Sequence, residues 1–110
     1  AGGTDTLTNI TDILGSANAD SFTGATGGSA FTIRFRPGAG NDVVNAMGNG
    51  RIAIDYTDAT KAIIVNLATG LVSQDGWDGT DTLTNVLRLR LSNFDDTVTG
   101  GAGNDTFEVL

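Results

Sequence analysis

A short pattern returns along this chain: an aspartate, then a small or polar residue, an apolar one, and another small or polar one. It reads DTLT from Asp5 and from Asp81, DSFT from Asp20, DVVN from Asp42, DTVT from Asp96 and DTFE from Asp105. Alternation with a period of two places every second side chain on one face of a strand. Leu7, Phe22, Val44, Leu83, Val98 and Phe107 are therefore predicted to point inward. Leu83, Val98 and Phe107 each follow a loop aspartate by two residues, which predicts one inward ladder on successive strands. Longer apolar stretches at Ile33–Phe35, Arg51–Tyr56, Ala62–Val72 and Leu87–Leu91 also read as strands. Within the third of these, Thr69-Gly70 can close a hairpin or turn a corner. No window carries the 3.6-residue apolar period of an amphipathic helix.

The chain also repeats on a longer scale. GGTDTLTNI (Gly2–Ile10) returns as DGTDTLTNV (Asp78–Val86), 76 residues later. The alignment runs on without a gap, setting NADSFTGATG (Asn18–Gly27) against FDDTVTGGAG (Phe94–Gly103) and Phe31 against Phe107. Self-similarity at a long fixed period is the mark of stacked repeat architectures. The expectation is one all-β solenoid module over 1–110, with residues 1–76 forming one long repeat and 77–110 opening a second.

Composition narrows the chemistry. The 110 residues hold sixteen glycines and one proline and carry a net charge of −7, with twelve aspartates against one glutamate. Six basic residues in so acidic a chain argue against a nucleic-acid partner. Cysteine and histidine are absent, which removes disulfides, thiolate and imidazole metal sites and histidine-dependent triads. No apolar run is long enough for a transmembrane segment, and the first ten residues do not form a signal peptide.

What remains is oxygen chemistry in loops. Gly100, Gly101 and Gly103 let a tight loop turn its carbonyls toward one point. Asp105 adds a carboxylate and Asn104 an amide oxygen. Such a cage suits a hard cation, and its adaptable ligand number suits Ca2+ over Mg2+. Asp12, Asp55, Asp58 and Asp75 read instead as solvated surface charge, and Trp77 and Tyr56 as packing residues.

GGAGNDTFE (Gly100–Glu108) resembles the nonapeptide of the RTX, or hemolysin-type, calcium-binding repeats, G-G-x-G-x-D-x-U-x, with Phe107 as the large apolar residue. PGAGNDVVN (Pro37–Asn45) matches it except for Pro37, so the resemblance extends to Gly38, Gly40, Asn41 and Asp42. GSANADSFTG and LSNFDDTVTG look like degenerate loops of the same family, and GGTDTLTNI and DGTDTLTNV like its opening segments. Gly24–Thr32 has Ser29 where Asp105 stands and is expected to be weak or empty. The resemblance implies a right-handed parallel β-roll, a β-solenoid in which calcium sits between loops about eighteen residues apart. That spacing would stack Asp78 and Asp81 on Asp96, the best complete cage it offers, and would leave Gly100–Asp105 as half a site facing only backbone near Leu87.

The functional expectation is a calcium-binding, non-enzymatic structural module of a secreted bacterial protein, one that folds or is stabilised on Ca2+. The alternative is an adhesive, carbohydrate-binding or self-assembling filament module on the same scaffold. Arg34, Arg36, Arg51, Arg88 and Arg90 on one face would favour ligand binding. The strand edges left by a solenoid that stops early in its second unit predict either further repeats or head-to-tail self-assembly. An enzyme is the weakest expectation, since no nucleophile–base pair is visible.

Overall fold

The computed structural model describes residues 11–24, 33–47 and 52–109. Among them are eleven short strands and no helix. They are β1 (Asp12–Leu14), β2 (Ser21–Thr23), β3 (Ile33–Arg36), β4 (Val43–Asn45), β5 (Ile52–Asp55), β6 (Ile64–Asn66), β7 (Leu71–Gln74), β8 (Asp81–Thr84), β9 (Arg88–Arg90), β10 (Thr97–Thr99) and β11 (Thr106–Glu108). No helix here is long and apolar enough to cross a membrane.

The strands form two sheets, neither closed into a barrel, and the chain passes back and forth between them. The first sheet runs β1-β3-β5-β9-β11 and is parallel throughout. The second runs β10-β6-β7-β8-β4-β2. It mixes directions: β2, β4 and β8 are parallel, as are β6 and β10, but β7 is antiparallel to both of its neighbours. Thr69-Gly70 divides the long apolar stretch Ala62–Val72 into β6 and β7, which pair as an antiparallel hairpin, one of the two outcomes expected there. The Asn66 side chain accepts the Ala68 and Thr69 amides at 2.9 and 3.3 Å and starts this turn. Gly70 completes it at φ +75°, where a Cβ would also run into the Leu83 carbonyl.

The 76-residue period survives as geometry. β9 and β10 lie 76 residues after β1 and β2, and each joins the same sheet as its counterpart.

Alternation delivers the core. Phe35, Ile52, Ile54 and Leu89 from the first sheet meet Val44, Val65, Val72 and Leu83 from the second in one buried cluster. Phe22 and Phe35 stack across the two sheets, ring centres 4.8 Å apart. Each such side chain contributes about 1.5–3 kcal/mol when fully buried.

The single inward ladder is corrected. Leu83 and Val98 do face the core, but β7 and β6 stand between their strands. Phe107 lies in the other sheet, opposite Leu89 on the last strand, and remains 36% exposed. Leu7 and Phe31 lie outside the described residues.

Candidate metal centre

Loops stack beside one another, and their aspartates bind the stack together. The Asp20 amide donates to Asp42 Oδ1 at 2.8 Å, the Asp42 amide to Asp81 Oδ1 at 3.0 Å, and the Ile63 amide to Asp96 Oδ1 at 2.9 Å. Thr60 donates its hydroxyl to the Gly76 carbonyl at 2.7 Å. The β3–β4 loop therefore lies against the β7–β8 loop, and the β5–β6 loop against the β9–β10 loop.

At the first of these junctions oxygens gather. Asp75 is fully buried, not solvated as its sequence context predicts. Its Oδ1 accepts the Trp77 and Gly79 amides at 2.7 and 2.9 Å, while its Oδ2 has no partner. A Cβ placed on Gly79 would stand 2.5 Å from that Oδ2, 2.6 Å from the Gly40 carbonyl and 3.2 Å from Asn41 Oδ1. Three oxygens from two loops thus crowd one point that only glycine leaves open. Asp42, the next residue on, is also buried and has an orphaned Oδ2. Gly38 and Gly40 hold positive φ, a backbone conformation that a Cβ disfavours.

The electrostatics report the crowding. Burial raises the Asp42 carboxyl to about 7, helped by the charges of Asp81, Asp20 and Asp75 and opposed by the Asp20 amide. Burial raises Asp81 to about 6 against the stabilising bonds from Tyr56 and the Asp42 amide. Tyr56 is itself buried and donates its hydroxyl to Asp81 Oδ2 at 2.7 Å. Burial and the Asp81, Asp75 and Asp42 charges push that phenol up. A buried carboxylate oxygen without a partner is costly, and either a proton or a cation removes the cost. Among the described residues no three acidic side chains are grouped as a ready metal site. A cation here would draw on carboxylate, amide and backbone oxygens together, the donor mixture of a calcium site.

The other expected ligands lie elsewhere. Asp78 does not meet Asp96: it is exposed and pairs with Lys61, which holds its carboxyl below the usual range. Asp81 does not stack on Asp96 because the β6–β7 pair separates their strands. Paired strands are 18 residues apart for β9 and β11 (Arg88 to Thr106) and 19 for β3 and β5 (Ile33 to Ile52), 22 for β1 and β3 and for β2 and β4, and 35 to 39 where the β6–β7 pair falls between them in the chain. Asp96 Oδ1 accepts both the Ser92 hydroxyl and the Ile63 amide. In the full nonapeptide, Asp105 Oδ2 accepts the Gly101 amide of its own loop at 2.6 Å and Oδ1 is orphaned. Gly101 and Gly103 face Leu67 and Leu87, and a Cβ on Gly100 would meet only Asp105, while Asn104 is exposed. Asp75 is not legible as a site residue because nothing local to DGWDGT separates a buried first aspartate from an exposed second one, and neither is Tyr56, because its partner Asp81 lies 25 residues on.

A second charged region covers the outer face of the first sheet. Arg34, Arg36, Arg88 and Arg90 all stand there, while Arg51 lies outside the described residues. Asp55 is buried under three of them, not solvated. Arg90 reaches it at 3.0 Å, Arg34 at 3.6 Å and Arg36 at 3.7 Å. Burial works to raise its carboxyl, but the Thr57 bonds and the Arg90 and Arg36 charges hold it below the usual range.

No family model matches this chain, and no curated protein or solved structure does.

Proposed function

We propose that this chain is a calcium-stabilised structural module of an exported protein, an RTX-like β-roll interrupted by the β6–β7 hairpin. The observation that carries the reading is the buried, unpartnered Asp75 Oδ2, set beside the Gly40 carbonyl and Asn41 Oδ1 over Gly79. Asp75, Gly40 and Asn41 would hold the ion, with Asp42 as the adjoining charge. The alternation of strands between two sheets supports the roll. An ion bound only by the folded chain stabilises it by mass action, and extracellular modules bind calcium at about 10⁻⁴–10⁻³ M. Such a module folds after export, where calcium is plentiful, and does no catalysis itself.

Thermal melting in calcium and in excess chelator, with calorimetric titration, tests the reading. The expected result is a saturable heat and a higher melting temperature with calcium than with magnesium. Superimposable melting curves in calcium and chelator overturn it. An adhesive role on the same scaffold is the second reading, favoured by the shared face of Arg34, Arg36, Arg88 and Arg90.

A further inference from the structure

We propose that the cleft on the outer face of the first sheet, between Arg34 and Arg88 over Ala53, binds a carboxylate-bearing ligand. This rests on the second, adhesive reading and is independent of the calcium centre, from which it uses no residue.

The cleft follows from strand register. Along one row the outward residues are Asp12, Arg34, Ala53, Arg88 and Thr106. Along the next they are Leu14, Arg36, then Asp55, Arg90 and Glu108. Ala53 is a short side chain between two long ones. Its row leaves a gap between guanidinium-bearing residues two strands, or about 9–10 Å, apart. The resulting cleft is about 300 Å³ and is lined by Arg34, Arg88, Arg90, Thr106 and Glu108 around Ala53 and Leu89. Three positive side chains and one negative one line it, in a chain whose net charge is −7.

The face already demonstrates the chemistry it would offer. Arg90 donates from Nε and Nη2 to the two carboxylate oxygens of Glu108, at 2.9 and 3.3 Å. Arg34 presents the same edge, Nε and Nη2, to Asp12. Both are side-on forks, the geometry in which arginine recognises a planar carboxylate. Glu108 and Asp12 are about half exposed at the rim, whereas Asp55 is buried and grips the arginines from beneath. Exposed ion pairs contribute little to stability. An incoming carboxylate can therefore take the place of Glu108 at little cost, while Asp55 keeps the fork oriented. No aromatic side chain lines the cleft, so it has no platform for stacking a neutral sugar ring or a base.

The test follows the arginine Nε–H signals by NMR in calcium-containing buffer at about 0.15 M salt. Succinate supplies a free carboxylate and trigalacturonate one carried on a sugar, and maltotriose and sulfate serve as controls. Saturable shifts of Arg34, Arg88 and Arg90 with a carboxylate probe are expected, with none from maltotriose. A response to both carboxylates means that the site reads the group alone, and a response to trigalacturonate only assigns an acidic saccharide. Glu108→Gln removes the internal competitor and should tighten binding by about threefold or more, whereas Arg88→Gln should weaken it about tenfold. Both positions are exposed, so folding should be unaffected. The proposal is overturned by absent shifts up to about 20 mM probe in both wild type and Glu108→Gln. Unchanged affinity in Arg88→Gln, or equal binding of sulfate, overturns it as well.

Discussion

Asp42 and Asp96 end equivalent loops, yet only Asp96 has a serine four residues before it. Ser92 donates its hydroxyl to Asp96, and Ser16 does the same for Asp20. At the matching places before Asp42 and Asp105 stand Gly38 and Gly101, and each of those aspartates keeps an orphaned oxygen. Beside serine the carboxylate gains a hydroxyl donor; beside glycine one of its oxygens is buried without a partner. Asp75 carries the sharpest consequence. Asp75→Asn should weaken calcium binding by about tenfold or more, because a charged ligand becomes neutral. Asp58→Ala, at an exposed position, should leave it unchanged. Parallel calcium titrations decide, and equal affinities would remove Asp75 from the centre. The pH dependence has a definite sign. In the metal-free folded chain Asp42 titrates at about 7 and Asp81 at about 6, against about 4 when unfolded. The folded state then holds more protons across that window, so its stability falls as pH rises from about 4 to 7. Asp12, Asp55 and Asp78 are shifted down, and the stability they add is lost only below the ordinary aspartate range. Melting in calcium-free buffer should thus occur at higher temperature near pH 5 than near pH 7.5, and excess calcium should reverse the trend as protons compete with the ion. A higher calcium-free melting temperature at the upper pH would show that the buried pair is not protonated on folding.

At the scale of elements, the DxUx pattern delivers strands but not their partners. Phe35 and Phe107 read alike in sequence, each a phenylalanine in a short alternating run. Phe35 is 3% exposed and stacked on Phe22; Phe107 is 36% exposed on a strand with one neighbour. Phe35→Ala should cost about 3–5 kcal/mol, and Phe107→Ala about 1 kcal/mol. Denaturant unfolding of the two variants measures this, and equal losses would mean that the last strand is covered in solution. The direction of each side chain was legible because alternation is local. Which strand lies beside which was not, because the β6–β7 pair inserts itself between loops that a constant spacing would stack.

For the molecule as a whole, stability should be graded outward from β5. That strand has neighbours on both edges and is buried on both faces, by Ile52 and Ile54 in the core and by arginines over Asp55. Among the described strands β11 pairs only with β9, and it is exposed at each of its residues. Native-state hydrogen exchange should find the β5 amides slowest and those of β11 among the fastest; uniform protection would contradict the gradient. The sequence alone determined the all-β class, the 76-residue period, the inward residues Phe22, Val44, Leu83 and Val98 of four short strands, and the oxygen-only chemistry of the loops. Each of these rests on neighbours in the chain or on which side chains exist at all. Only the tertiary structure decided that Asp75 and Asp55 are buried, that Asp78 stays outside, and that four arginines share one face. Burial and pairing of a charge depend on what arrives from distant strands: Gly40 and Asn41 reach Asp75 across more than thirty residues of chain. A hairpin of a few residues is enough to change which loops meet.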